Sequence, residues 1–378
     1  MRAIINGKIV TRDAVVEGKA LLFDGKIAGI SERADGCEII DARGGYVTPG
    51  LIDVHIHGYL GYDCSDGEMD GLRRMADGIA KNGVTSFLAT TMTMPYEDLE
   101  RAFEVTKKYM ADPSENGARV LGVNAEGPFL SEAKRGAHKS EYLKLPDADF
   151  LLKHRDVVKL TTIAPELDGA MEAIRKLTAS GIRVSAGHTA AGFDAAIEAV
   201  NAGATQATHT FNAMPALNHR EPGAAGAFLW DDRVYCELIT DGFHVNPAFF
   251  KLLRRIKGDR LVMITDCLRA GGLSDGEYVS GGLRVHVQGI RCLLDNGTIA
   301  GSVLRLNKGV KNMIDMGDAQ VWEAVAMASA NPAAAMGLAD VKGALEPGKD
   351  ADIAIFDSEF ETQMTLIGGR IIYDAGRE

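Results

Sequence analysis

Eight apolar, β-branched runs recur along the middle of the chain, at 51–57, 84–90, 119–126, 158–164, 182–188, 204–209, 233–241 and 261–266. Most are followed by a stretch with helical spacing, as at 69–81, 98–110, 168–180 and 191–201. Continuous apolar runs suit strands covered on both faces, and the amphipathic stretches between them suit helices laid over the sheet. Alternation of this kind builds a parallel sheet. Eight units in one stretch favour closure over an open doubly wound sheet, so the expected class is α/β, a (β/α)8 TIM-type barrel.

The two ends read differently. Asn6-Gly7 and Asp24-Gly25 each carry a hairpin signal between short apolar runs, as does Gly368-Gly369 near the other end, where 351–356 also reads as a strand. The expected organisation is a small β-sandwich built from residues 1–48 and 343–378, flanking a barrel over 49–342, with a hairpin around Asp295-Asn296-Gly297 inserted after the eighth strand. No sequence period of a repeat array is visible.

The length of 378 residues, 46% hydrophobic, supplies a large core. A net charge of −11 argues against nucleic acid as a partner, since phosphate neutralisation needs a basic patch. It leaves room for a small anionic substrate held by a few local cations. No apolar run is long enough to span a bilayer, and the start lacks the apolar core of a leader. The five cysteines are scattered, with no C-x-x-C pair, so a reducing, cytoplasmic setting is expected.

The chemistry sits at the ends of the predicted strands. The first ends in His55-Ile56-His57, the third in Glu126, the fifth in His188, the sixth in His209 and the eighth in Asp266, with Asp241 and His244 just past the seventh. C-terminal strand ends of a barrel converge on one mouth. In a strand, residues two apart share a face, so His55 and His57 would point the same way. Imidazoles and carboxylates buried together are costly unless paired or bound to metal. A polar network closing the mouth is the alternative; a metal site accounts better for all of them at once. Nitrogen and oxygen donors without cysteine suit zinc, iron, manganese or a related divalent ion. Such an ion activates water near neutral pH, and Asp266 is placed as general base and later general acid.

The stretch Pro49-Gly50-Leu51-Ile52-Asp53-Val54-His55-Ile56-His57 resembles the opening motif of the amidohydrolase superfamily, and Leu345-Glu346-Pro347-Gly348-Lys349-Asp350-Ala351-Asp352 resembles its return to the sandwich. More specific stretches resemble the N-acetylglucosamine-6-phosphate deacetylases. These are Glu126-Gly127-Pro128-Phe129-Leu130, Gly136-Ala137-His138, Ala186-Gly187-His188-Thr189, His209-Thr210-Phe211-Asn212-Ala213-Met214-Pro215, His219-Arg220-Glu221-Pro222-Gly223, Asp241-Gly242-Phe243-His244 and Thr265-Asp266, in the family's order. The resemblance implies that Glu126, His188 and His209 bind metal and that Asp266 is the catalytic acid/base. It implies that His138 lies near the substrate carbonyl, that Asn212, Ala213 and His244 contact a sugar phosphate, and that Arg220 reaches it from the neighbouring subunit of a homodimer. Some members lack the histidine pair on strand one and bind a single ion; here His55 and His57 are both present, so one or two ions are expected, the presence of the pair favouring two with Glu126 bridging. The implied reaction is hydrolysis of the acetamide of N-acetylglucosamine 6-phosphate, with zinc or iron as the metal. The residues alone do not set the C4 epimer, nor do they exclude another amide substrate.

Overall fold

The computed structural model describes residues 1–377. Its centre is a sheet of eight parallel strands: β1 (Leu51–Ile56), β2 (Val84–Thr91), β3 (Arg119–Glu126), β4 (Val158–Ile163), β5 (Arg183–Ala186), β6 (Gln206–Ala207), β7 (Tyr235–Ile239) and β8 (Leu261–Ile264), each beside its sequence neighbour. Every residue of β1 and β2 is buried, as expected of strands covered on both sides. The ring closes at the mouth, where Asp266 N–H donates to the carbonyl of His55 and His57 N–H to that of Cys267, both at 2.9 Å.

All eight expected strands are present, with differences at the ends. β5 and β6 stop well before His188 and His209. Both histidines adopt positive φ, +46° and +28°, which takes the chain out of the sheet before the functional residue is reached. The amphipathic stretches form α1 (Met69–Ala80), α2 (Tyr96–Ala111), α3 (Ala170–Ala179) and α4 (Phe193–Ala202), followed by α5 (Gly223–Trp230) and α6 (Ala248–Lys257). In α1 the buried face carries Leu72, Met75, Ala76 and Ile79, three and four apart, against the outside of the barrel.

Two sheets come from the ends. A six-stranded sheet mixes strands from both termini, and a four-stranded sheet holds Arg2–Ile5, Ala20–Phe23, Ile27–Ser31 and Glu38–Asp41. The Asp24-Gly25 and Gly368-Gly369 hairpins form as expected. Asn6-Gly7 does not make a hairpin: Arg2–Ile5 pairs with Ala20–Phe23 and Glu38–Asp41, whereas Lys8–Val10 pairs with Val15–Val16 and Tyr46–Pro49 in the other sheet. The turn carries the chain across the sandwich because Ile4 and Ile9 both pack into its core. After β8 the insertion is larger than one hairpin. It is a three-stranded antiparallel sheet (Gly276–Ser280, Leu283–Gln288, Arg291–Leu294) followed by the tight turn at Asp295-Asn296-Gly297.

The sandwich is joined to the strand starts, at the opposite ends from the mouth. Phe356 and Phe360 belong to the same core cluster as Leu51, Val84 and Phe87. Gly83, at φ +78°, lies against the Phe356 ring where a Cβ would collide. Thr365 Oγ1 donates to the carbonyl of Ala80 at 2.8 Å, and Gly50 N–H to that of Asp352 at 2.8 Å. Phe356→Ala removes a fully buried ring from this seam, and truncations of this kind cost about 3–5 kcal/mol. The variant is expected to show a clearly lower denaturation midpoint, read by circular dichroism during chemical unfolding.

Candidate metal centre

The residues at the strand ends converge. Glu126, the last residue of β3, is 2% exposed and sits among imidazoles. Its Oε1 lies 3.0 Å from His209 Nε2, 3.2 Å from His188 Nε2 and 3.4 Å from His55 Nε2. Its Oε2 lies 3.0 Å from His57 Nε2 and 3.5 Å from His138 Nε2. Asp266 Oδ1 stands 3.2 Å from His57 Nε2 and 3.6 Å from His55 Nε2. The pair His55 and His57 thus shares a face, as its spacing implied, and Glu126 stands between it and the pair His188 and His209.

The backbone around these groups is strained in a consistent way. His188, His209, Ala213 and Asp266 all have positive φ, between +28° and +53°. Non-glycine residues there cost about 1–3 kcal/mol each and persist where the surroundings over-determine them, commonly at functional sites. Gly127 has φ +87° and faces the Thr93 hydroxyl so closely that no Cβ fits, which lets the chain turn directly after Glu126.

Partners on the far side of each ring decide which nitrogen is offered. His188 Nδ1 donates to the carbonyl of Lys134 at 2.8 Å, leaving the Nε2 lone pair free to bind an ion. His188 Nε2 and His209 Nε2 are 3.0 Å apart, closer than two N–H groups would tolerate, as suits lone pairs aimed at one ion. His55 Nε2, His57 Nδ1 and His209 Nδ1 are buried and lack hydrogen-bond partners. For His55 the orphan nitrogen faces Glu126 and Asp266, where an ion would complete it.

His138 differs. Its Nδ1 accepts the backbone N–H of Thr93 at 3.1 Å, so in the neutral ring Nε2 carries the hydrogen. Burial pushes its pKa down to about 4, outweighing the pull of Glu126, so the ring is neutral at pH 7. Donor atoms of His55, His57 and Asp266, and of Glu126, His138 and His188, lie close enough to hold an ion. The tautomer makes His138 a hydrogen-bond donor, and His209 takes its place beside Glu126 and His188. The residues present fit a divalent metal site.

A cavity of about 460 Å³ opens above these groups and is lined at one end by His57, Glu126, His138 and Asp266. Asn212, Ala213 and His244 also line it. His244 Nδ1 donates to Asp241 Oδ2 at 2.7 Å, which leaves Nε2 available. Arg220 does not line the cavity of its own chain; it is exposed, on the loop before α5. Val285 and Ile299 of the insertion line the cavity, so the extra sheet is part of the site.

The profile of the amidohydrolase family matches residues 46–372. The chain belongs to the amidohydrolase family. Within this family, the N-acetylglucosamine-6-phosphate deacetylase of Bacillus subtilis (strain 168) is 38% identical over 377 residues, 97% of this chain and 95% of the relative. An N-acetylgalactosamine-6-phosphate deacetylase of Escherichia coli O157:H7 is 36% identical over 372 residues, 96% of this chain and 97% of the relative. Among solved structures, the N-acetylglucosamine-6-phosphate deacetylase of Pasteurella multocida superposes with a TM-score of 0.94 at 33% identity, covering 98% of this chain and 99% of that one. The (β/α)8 barrel expected from the strand–helix alternation is therefore present, in the amidohydrolase form that the motifs implied.

Three further residues of the centre escape a strand-end reading: Glu237, Thr93 and Lys134. Glu237 lies inside β7, and its Oε2 accepts from His55 Nδ1 and from the backbone N–H of His209, both at 3.0 Å. A lone acid in an apolar run was its available signal. Thr93 acts on His138 through both its backbone N–H and its hydroxyl, the latter 2.9 Å from Nδ1, and Lys134 acts on His188 through its carbonyl. His209→Ala is expected to lower the divalent metal retained through purification while the fold persists. Elemental analysis beside circular dichroism checks this, and unchanged metal content would remove His209 from the ligand set.

Proposed function

We propose that this protein hydrolyses the acetamide of N-acetyl-D-glucosamine 6-phosphate, releasing D-glucosamine 6-phosphate and acetate. The observation that carries the reading is the single cavity joining the Glu126, His188, His209 and Asp266 cluster to Asn212, Ala213 and His244. Full-length relatives named for this reaction support it.

Glu126, His188 and His209 would hold one divalent ion, and His55 and His57 a second, with Glu126 between them. Zinc or iron suits such nitrogen and oxygen donors. A divalent ion bound there polarises a carbonyl and lowers the pKa of a coordinated water to about 7 or somewhat above. Asp266 takes the proton of the attacking water as the new C–O bond forms. Burial alone would raise its carboxyl; with protonated rings beside it the hydrogen bond from His57 and the charge of His55 pull it down to about 2, and a cation held by the same rings favours the same ionised form, ready to accept. His138, neutral and carrying hydrogen on Nε2, donates to the carbonyl oxygen as negative charge develops on it. Asp266 then returns the proton to the nitrogen while the C–N bond breaks, so the amine leaves neutral.

The phosphate lies at the other end. His244 Nε2 and the Asn212–Ala213 segment bind it by hydrogen bonds to its oxygens. Arg220 completes the site from the second subunit of a homodimer. Two observations support this arrangement: Arg220 is exposed and outside its own cavity, and nearby helices bear an apolar face. Phe249, Leu252 and Ile256 repeat along α6 at helical spacing and Trp230 ends α5, with Trp230 69% and Ile256 51% exposed. Contiguous exposed apolar surface marks an interaction site. Four of the five cysteines are buried thiols, consistent with a reducing cytoplasm.

Acetate release from N-acetyl sugars of gluco and galacto configuration, each with and without a 6-phosphate, tests the substrate. Turnover of the free sugar equal to that of the phosphate ester would sink the phosphosugar reading, and a galacto preference would move it to the C4 epimer. Asp266→Asn is expected to keep its metal but lose at least about 100-fold in kcat, the usual scale of a lost general acid/base; near-normal turnover refutes the role. His244→Ala should raise KM for the phosphorylated sugar by about tenfold, one ordinary polar contact, and an unchanged KM excludes it from the phosphate site. For the dimer, two inactive variants are mixed. Arg220→Ala and Asp266→Asn subunits together regain activity only if Arg220 serves the partner's site; no gain on subunit exchange overturns that assignment.

A further inference from the structure

The geometry points to Glu237 as a positioning residue for the ion on the strand-one side, a residue that decides whether His55 and His57 hold an ion of their own. This rests on the two-ion reading above and says what in the chain makes it possible.

Glu237 is 1% exposed, in the middle of β7, and the ion pair it makes among the described residues is with the His55 imidazole. One of its oxygens, Oε2, carries both contacts: it accepts from His55 Nδ1 and from the backbone N–H of His209, each at 3.0 Å. The other, Oε1, has no partner. A carboxylate buried with only half of its acceptor capacity used is costly. Replacing it with an apolar residue would be the cheaper way to fill a barrel interior.

What the carboxylate does is visible at the other end of the His55 ring. With Nδ1–H committed to Glu237, Nε2 carries the lone pair, and that atom is the orphan facing Glu126 Oε1 at 3.4 Å and Asp266 Oδ1 at 3.6 Å. Without Glu237 the ring is free to place its hydrogen on Nε2 and bond Glu126 directly, and its lone pair then faces away from the ion. A carboxylate behind a histidine also makes the ring a stronger electron donor, and losing such a partner typically weakens metal affinity about 10–100-fold. Charge acts in the same direction. Three buried carboxylates touch these imidazoles, Glu126, Asp266 and Glu237, so a single divalent ion leaves one negative charge uncompensated in the barrel, and a second ion more than offsets it. The bond to the His209 backbone connects the two positions, since one oxygen steadies a donor ring on one side and the strained turn of a donor on the other.

The test compares the unmutated protein with Glu237→Gln, which keeps shape and an acceptor but removes the charge, and with Glu237→Leu, which removes both. Protein stripped with chelator and titrated with Mn2+ is followed by elemental analysis and by electron paramagnetic resonance, where two neighbouring ions give a spin-coupled signal. The expected result is two ions in the unmutated chain. Glu237→Gln should show a weaker ion whose dissociation constant has risen about 10–100-fold, and Glu237→Leu should show one uncoupled ion. His55→Ala should match Glu237→Leu in stoichiometry, and the double variant should lose nothing further. Two tightly held, coupled ions in Glu237→Gln and Glu237→Leu overturn the inference while leaving the two-ion reading intact. A single ion in the unmutated chain overturns both. Loss of both ions in Glu237→Gln overturns it as well, because that outcome marks a general structural role.

Discussion

A carboxylate 2% exposed, met within 3.5 Å by nitrogens of five imidazoles, is expensive to bury, and the barrel mouth is arranged around that cost. Removal of Glu126 from water would by itself drive its carboxyl towards the neutral form. Where these imidazoles carry protons in place of an ion, the charge of His55 and the hydrogen bonds of His138, His188 and His209 reverse this and hold it well below the ordinary carboxylate range. The balance works in both directions: His57, which burial would lower, is raised to about 9 by Asp266 and Glu126. A cluster of mutually dependent acids and bases stays buried only while its members remain together. Protons and metal ions are alternative ways of satisfying it.

That dependence explains where the backbone is strained. His188, His209 and Asp266 come from three strands that end early, and each reaches the cluster only by leaving the sheet through positive φ. Such conformations need surroundings that over-determine them. The hydrogen bonds of Ser131 N–H to the His188 carbonyl, Asp266 N–H to the His55 carbonyl and His209 N–H to Glu237 provide them. At the opposite ends of the strands the joined sandwich and the Phe356–Phe360 seam supply stability away from the cluster, with a positive φ of their own at Phe360, +54°.

The sequence is legible where chemistry and periodicity coincide. All eight strands and four of the helices between them follow from apolar spacing, because a strand buried on both faces admits few polar residues and its limits stand out. The convergence of Glu126, His188, His209 and the His55/His57 pair follows from one topological rule about strand ends. Asn6-Gly7 misleads because a turn signal says that the chain reverses, not that the flanking strands pair with each other; here Ile4 and Ile9 are pulled into different sheets of one core. Glu237 is missed because it lies in mid-strand, where side chains usually pack. Lys134 is missed because it acts through its backbone C=O, which any residue type offers, and Thr93 because a hydroxyl and an N–H just past the end of β2 carry no ligand-type signature.

The two ends of the cavity are built by different means, and this bears on how such a barrel can change its substrate. The hydrolytic end stands on strand ends and is held by buried hydrogen bonds, so the demands of amide cleavage are met by the most rigid part of the fold. The far end is made by Asn212 and Ala213, by His244 just past β7, and by the insertion with Val285 and Ile299. These are loops and an appended element, connected to the rigid cluster at a few points: Thr189 N–H to the Ala213 carbonyl, the Lys134 ammonium to the Met214 carbonyl, and Leu268 packing with Val285. A change of sugar configuration or acyl group can therefore be absorbed in the loops without moving Glu126 or Asp266. That separation is consistent with relatives of similar identity being named for gluco and galacto substrates. Discrimination between epimers would then reside in the placement of backbone and apolar groups at the far end, which residue type announces less clearly than it does His244 or the residues of the cluster.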